Sequence, residues 1–333
     1  RFAVTMAQGT PENSRVYIRG SHKSLGEEVP NRFLEVLGGQ SGDRLDLADE
    51  IASIENPLTS RVVVNRLWHH LFGRGIVPTV DDFGPQGQLA SHAELLDWLA
   101  IDFVENGWSL KKAIRQIVLT QTYAQASVPH PSADAEKIAV VDPENVLLHR
   151  MPIRRLQAEA IRDAVLAVSG GLNTKSFGPS IPTHRTAFMT GRGARGSGPL
   201  DGEGRRSVYQ AVYRNFLNPL MLTFDMPGPF GPKGRRSNSN VPAQALAMMN
   251  DPFVVQQSQK WAEAVLASST QDIDGKIEMM YEQALGTPPT SSTKQLFRAF
   301  LDNQIQEHQG NAAKAWGDLA HALFNTKDFI FLR

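Results

Sequence analysis

Apolar positions recur at helical spacing through much of this chain, and the best-punctuated run lies between Asn56 and Tyr123. Leu58, Val62, Leu67, Trp68, Leu71 and Phe72 keep a period near 3.6 residues. Asn56 stands before them as N-cap, and Pro57 takes the first helical position, where a fixed φ and a missing N–H cost nothing. Gly73 stops this helix. A second pattern opens at Ser91-His92-Ala93-Glu94, which spells a capping box. Leu95, Trp98, Leu99 and Phe103 form its stripe, and Asn106-Gly107 ends it. A third begins at Ser109 and places Leu110, Ile114, Ile117 and Val118 on one face. The short connection predicts that the second and third helices pack as neighbours.

Elsewhere the pattern is less regular. Arg15 to Arg19 reads as a short strand and Arg44 to Ser53 as a short helix. A polar linker runs from Ser127 to about Asn145, and a helix is predicted from Ile153 to Ser169, ended by Gly170-Gly171. Residues 177–240 are rich in Gly, Pro and Arg, and there only Arg206 to Arg214 reads as a strand. Helical stripes return after Pro242, and Asp251-Pro252 repeats the N-cap and proline signature. Later stripes are Ile277 with Met280, Tyr281 and Leu285; Leu296 with Phe297, Phe300 and Leu301; and Trp316 with Leu319, Ala320, Leu323 and Phe324. The expectation is a mainly α fold: an irregular helical domain with long Gly/Pro/Arg-rich loops and minor β structure. Residues 1–55 form an irregular N-terminal segment and 56–333 the helical domain, with the loop segment 177–240 inside it.

Composition narrows the function classes. Lys+Arg and Asp+Glu are both 34, so no global field favours nucleic acid or an acidic membrane. No apolar run approaches the ~20 residues that span a bilayer. Cysteine is absent, which removes disulfides, thiolate metal sites, a cysteine nucleophile and covalent c-type haem attachment within this chain. The chain begins at Arg1, and the expectation is a processed product or a piece of a longer polypeptide with a domain upstream.

Candidate chemistry is sparse. Residues 191–196 spell G-x-G-x-x-G, but the next residues, Ser197-Gly198-Pro199, cannot open a helix, so a loop is the simpler reading than a dinucleotide fingerprint. His69 and His70 close the first helix, and adjacent residues project about 100° apart, so they do not converge on one ion. No metal site and no cofactor are expected in this chain. There is no Gly-x-Ser-x-Gly elbow. Asp81, Asp82 and His92 are the weak acid–base candidates. Trp68 and Trp98 read as core, and Trp108, at a Gly-Trp-Ser corner, as an exposed platform.

The arginines are the better clue. Arg192, Arg195, Arg205, Arg206, Arg214, Arg235 and Arg236 lie in one irregular stretch with few acids. Guanidinium groups on loops form forked bonds to carboxylate, sulfate or phosphate. Arg205, Arg206, Arg214 and Arg236 are expected to line a concave anion site, with Asp225 and Asn250 in support. The competing reading pairs these arginines with helix acids such as Asp97, Glu159 and Asp163.

The chain resembles PSD1 (DUF1553), a domain of unknown function abundant in planctomycetes and related bacteria. The resemblance rests on Asn56-Pro57-Leu58 with Arg61, Asn65-Arg66 and Trp68; on Phe72-Gly73-Arg74-Gly75 with Asp82-Phe83-Gly84; on Arg154-Arg155-Leu156 with Glu159, Arg162 and Asp163; and on Arg205-Arg206-Ser207 and Asn250-Asp251-Pro252-Phe253. Asn31 departs from the expected arginine, and the insert Gly191 to Gly198 looks particular to this chain. The resemblance implies export, an upstream uncharacterised domain, and often a cytochrome-c-like domain that would carry haem c outside this chain. It carries no established reaction. The resulting expectation is a non-catalytic accessory or scaffold module of a cytochrome-linked protein, holding partner domains or an anionic polysaccharide. The alternative is a hydrolase or lyase acting on sulfated or uronic-acid polysaccharide.

Overall fold

The computed structural model describes residues 9, 12–191, 193, 196–269 and 272–332. Among them the fold is mainly α, as the periodicity predicts. Helices α1 (Arg44–Ala52), α2 (Pro57–Phe72), α3 (Ala93–Glu105), α4 (Leu110–Val118) and α5 (Ala135–Val141) come first. Next come α6 (Ala158–Val168), α7 (Pro219–Thr223), α8 (Pro242–Asn250), α9 (Pro252–Leu266), α10 (Ile273–Leu285), α11 (Ser291–Glu307), α12 (Ala312–Phe324) and α13 (Lys327–Ile330). Strands are short: β1 (Ser14–Tyr17) pairs antiparallel with β2 (Leu25–Val29), and β3 (Arg154–Arg155) with β4 (Phe331–Leu332). No helix among the described residues is long and apolar enough to cross a membrane.

The chain divides into two compact units between Gln125 and Ala126, with Ile138–Leu147 returning to the first. The boundary expected at residue 55 lies inside that first unit.

In the first unit local capping sets the helices. The Asn56 side chain accepts from the N–H groups of Leu58 (2.9 Å) and Thr59 (3.4 Å), and Gly73 ends α2 at φ +83°. Helices α2 and α3 pack side by side around Val64, Phe72, Leu96, Leu99 and Phe103. Asn65 is fully buried on α2 and closes the loop after it: its Nδ2 donates to the Val77 carbonyl (3.0 Å) and its Oδ1 accepts from the Val77 N–H (2.8 Å).

Three expectations are corrected here. The Ser91 capping box does not form, because Ser91 donates through both N–H and Oγ to the Ile76 carbonyl. Helix α3 therefore starts one residue later, with His92 in the cap position and no side-chain cap bond. Its buried face is Leu96, Leu99, Ala100 and Phe103, so Trp98 is about half exposed (53%) rather than core. Trp108 is half-buried rather than an open platform, its ring edge-on to Phe103 at 5.4 Å.

The second unit has the larger core. Helices α9 and α12 lie together at its centre. Trp261 stacks on Phe324 at 5.1 Å, and its indole N–H donates to Gln283 (2.9 Å). The Asp251 side chain caps α9 through the Phe253 N–H, as the Asp-Pro signature predicts. The helix expected from Ile153 begins five residues later. Arg154 and Arg155 are extended there because the C-terminal strand β4 claims their backbone, and the Leu156 N–H donates to Ile330. The strand expected over 206–214 is also absent. A 3-10 turn at Ser207–Tyr209 and isolated bridges from Gln210 to Ile181 and from Tyr213 to Phe216 replace it, since Asp163 draws the Ser207 backbone onto α6.

Candidate functional site

Helix α6 is the platform on which residues 177–240 are fastened. Ile161, Val165 and Leu166 of this helix enter the core. Glu159, Arg162 and Asp163 reach the loops instead: Arg162 and Asp163 hold one turn, and Glu159 meets Arg236.

Arg162 is 1% exposed, and its guanidinium lies over the Phe253 ring at 5.4 Å. Nη2 donates to the Asp201 carbonyl (2.6 Å), and Nη1 to the Arg205 carbonyl (2.9 Å) and to Ser207 Oγ (3.2 Å). With its amide oxygen turned toward the guanidinium, Gln210 accepts from Nε (3.2 Å) and Nη2 (3.1 Å). Burial acts first to lower the affinity of Arg162 for its proton, and the charges of Asp163 and Asp201 partly restore it. A guanidinium stays charged under such a shift, so Arg162 is a fixed internal cation.

Asp163 holds the same turn from the acidic side. Its Oδ1 accepts from the Ser207 N–H (2.8 Å) and hydroxyl (2.7 Å), while Arg206 Nε stands 3.9 Å from Oδ2. Glu159 pairs with Arg236 at 2.5 Å. Two glycines admit this approach. Gly202 has φ +60°, and a Cβ there would lie 2.7 Å from Arg162 Nη2. Gly204 has φ +67°, and a Cβ there would lie 2.1 Å from the Gly171 carbonyl oxygen.

A second knot sits at Arg155, whose side chain is 3% exposed. It bonds Asp225 (2.6 Å), Asn238 (3.0 Å) and the Phe224 carbonyl (3.3 Å). Asp225 has φ +64° and also accepts from the Ser239 N–H and hydroxyl. Burial alone would raise the Asp225 pKa. The Ser239 bonds and the Arg155 charge outweigh it and hold the carboxyl below its usual range. Arg205 is buried against the Tyr209 ring (4.1 Å) and donates to the Phe177 carbonyl (2.9 Å). The Phe177 N–H donates to Tyr209 Oη, which with the nearby Arg205 cation lowers the phenol's pKa.

The expected site residues do not all come together. Arg205, Arg206, Arg236 and Asp225 belong to the network that ties the loop segment to α6 or to β3. Arg206 is 61% exposed at its rim. Arg214 is exposed, with no paired carboxylate among the described residues. Asn250 is exposed and bonds back to its own helix through Leu246 (2.9 Å). Arg192 and Arg195 lie outside the described residues. Asp81, Asp82 and His92 are in the other unit. Asp81 is exposed, Asp82 folds its carboxylate onto the Gly84 N–H (2.7 Å), and His92 Nδ1 bonds Ser91 Oγ (2.9 Å). Sequence reasoning did not single out Arg155 and Arg162 as site residues. The available signal was Arg162 itself, an arginine beside Ile161 on a helix whose stripe is otherwise apolar.

Chemically, the arrangement gives each of Arg155, Arg162 and Arg205 a carboxylate or a backbone carbonyl. It leaves Arg206 and Arg214, with Lys233 and Arg235, as an exposed basic set on the same segment.

Comparison with protein families matches residues 43–301 to PSD1, described as a protein of unknown function (DUF1553). No curated protein and no solved structure matched the chain.

Proposed function

The chain belongs to the PSD1 (DUF1553) family, and on that premise we propose that it is a non-catalytic accessory or scaffold module of an exported, multidomain, cytochrome-linked protein. The observation that supports this reading most directly is the internal engagement of four arginines in and beneath the loop segment. Arg155, Arg162, Arg205 and Arg236 are occupied with Asp225, Asp163, Glu159 and loop carbonyls, so they fix a surface instead of opening a pocket. A fixed loop surface with an exposed basic rim suits contact with a partner domain or an anionic polymer. Rim charges of this kind act mainly on encounter rate and salt dependence. Cysteine is absent here, so covalently attached haem would belong to a partner domain.

The decisive experiment is isolation of the native assembly with every chain identified. The proposal expects this chain in a stable complex, or in one polypeptide with other domains. Recovery as a lone monomer that cleaves a sulfated or uronic-acid glycan would overturn it and favour the hydrolase or lyase reading. The polymer contact is tested separately with dextran sulfate: Arg206→Glu with Arg214→Glu is expected to weaken retention and flatten its salt dependence.

A further inference from the structure

Residues 12–55 contain no buried side chain, yet they carry many large apolar ones. Val36 is 86% exposed and Ile54 70%, and Tyr17, Leu34, Leu45 and Leu47 are also open to solvent. The only sheet in this stretch is the β1–β2 hairpin, with no third strand among the described residues. An isolated hairpin is marginal in water, and these apolar side chains are left uncovered by the described residues. Helix α1 is nevertheless well formed, with a reciprocal Asp43–Asp46 capping box. The stretch is therefore shaped locally but has no core of its own.

Between residues 31–33, residues 40–42 and α1 lies a cleft of about 760 Å³. Its walls carry five carboxylates, Glu12, Asp43, Asp46, Asp49 and Glu50, against two arginines, Arg32 and Arg44. Arg32 already pairs with Glu35, and Asp43 and Asp46 are used in the helix cap. Over residues 12–55 as a whole, nine carboxylates face five Lys and Arg side chains. The surface is thus apolar and acidic, the opposite sign to the rim of the loop segment.

We propose that this cleft, with the apolar side chains around it, docks a Lys- or Arg-bearing apolar segment of a partner protein. The inference rests on the scaffold reading and assigns that scaffold its contact surface. The partner's apolar side chains cover Leu47 and Phe33, while its cations meet Asp49 and Glu50. Such a surface gains affinity from apolar burial and orientation from charge.

The test uses the intact chain and a short fluorescent peptide of alternating Lys and Val, with a Glu–Val peptide as control. Saturable binding of Lys–Val is expected, weakened by salt, with slowed hydrogen exchange confined to residues 12–55. Asp49→Lys with Glu50→Lys is expected to reduce affinity by about tenfold or more, with helical circular dichroism unchanged. Equal binding of Glu–Val, no binding of Lys–Val, or protection elsewhere would each overturn the inference. Concentration-dependent protection of 12–55 without peptide would assign the surface to a second copy and also overturn it. A native assembly that still forms with the charge-reversed variant rejects this surface alone, whereas the absence of any assembly rejects the scaffold reading itself.

Discussion

Replacing Arg162 by Met keeps most of the side-chain volume and deletes the guanidinium. The Arg205 carbonyl then loses its donor, the Asp201 carbonyl keeps only the Gly204 N–H, and Ser207 Oγ and the Gln210 amide oxygen lose their bonds to Arg162. A buried acceptor left without a partner costs about 1–3 kcal/mol. Burying a cation is itself unfavourable, so Met recovers part of that loss. The carbonyls sit in a turn whose Gly202 and Gly204 are buried, which restricts their escape to water. A net loss of about 3 kcal/mol is expected, local to residues 199–211. Native-state hydrogen exchange read by mass spectrometry reports that local stability directly. A cycle with Ser207→Ala should show coupling of about 0.5 kcal/mol or more, because the two residues share a bond. Arg162→Lys should lose nearly as much as Met, since an ammonium cannot fork between two carbonyls. If Arg162→Met changed protection by less than about 1 kcal/mol, the carbonyls would have found other donors, and the fastening role of α6 would be wrong.

Three further outcomes rest on the same kind of geometry. Asn65→Leu strips both bonds from the buried Val77 peptide and should lower the melting temperature of the first unit, at a cost of about 2–4 kcal/mol; calorimetry checks it. Gly204→Ala places a Cβ against the Gly171 carbonyl at positive φ, so exchange protection across 199–207 should collapse while α2 and α3 keep theirs. Asp225 has a lowered folded pKa, so its contribution is complete above the unfolded value of about 3.9 and is lost as pH falls through the folded one. Asp225→Asn should therefore flatten the acid limb of stability measured by urea denaturation between neutral and acidic pH.

Features that depend on neighbours in sequence are legible without the structure. The Asn56-Pro57 start, the Gly73 stop and the Asp251 cap are decided by side chains within a few residues, and each stands where the residues put it. Features decided at long range are not. Ser91 carries the right side chain for a cap but spends it on Ile76, fifteen positions earlier. The alternation from Arg206 to Arg214 resembles a strand, yet its backbone is claimed by Asp163, more than forty residues away. The stripe predicted for α3 is about one residue out of phase, so Trp98 faces solvent and Leu96 the core. The arginine cluster is visible as composition. Which arginines are buried depends on which acids α6 and the Asp225 turn bring to them.

The β3–β4 ladder has a mechanical consequence. Arg154 pairs with Leu332 and Arg155 with Phe331, antiparallel, so the chain enters and leaves this pairing on the same side. A load applied at those two ends would open the ladder rung by rung, like a zipper, instead of shearing all its bonds at once. The clasp would yield at low force before the α9–α12 core felt the strain. Tethered between moving neighbours, the second unit would have a soft first extension and a stiff remainder, a response that single-molecule pulling from residues 153 and 332 would resolve.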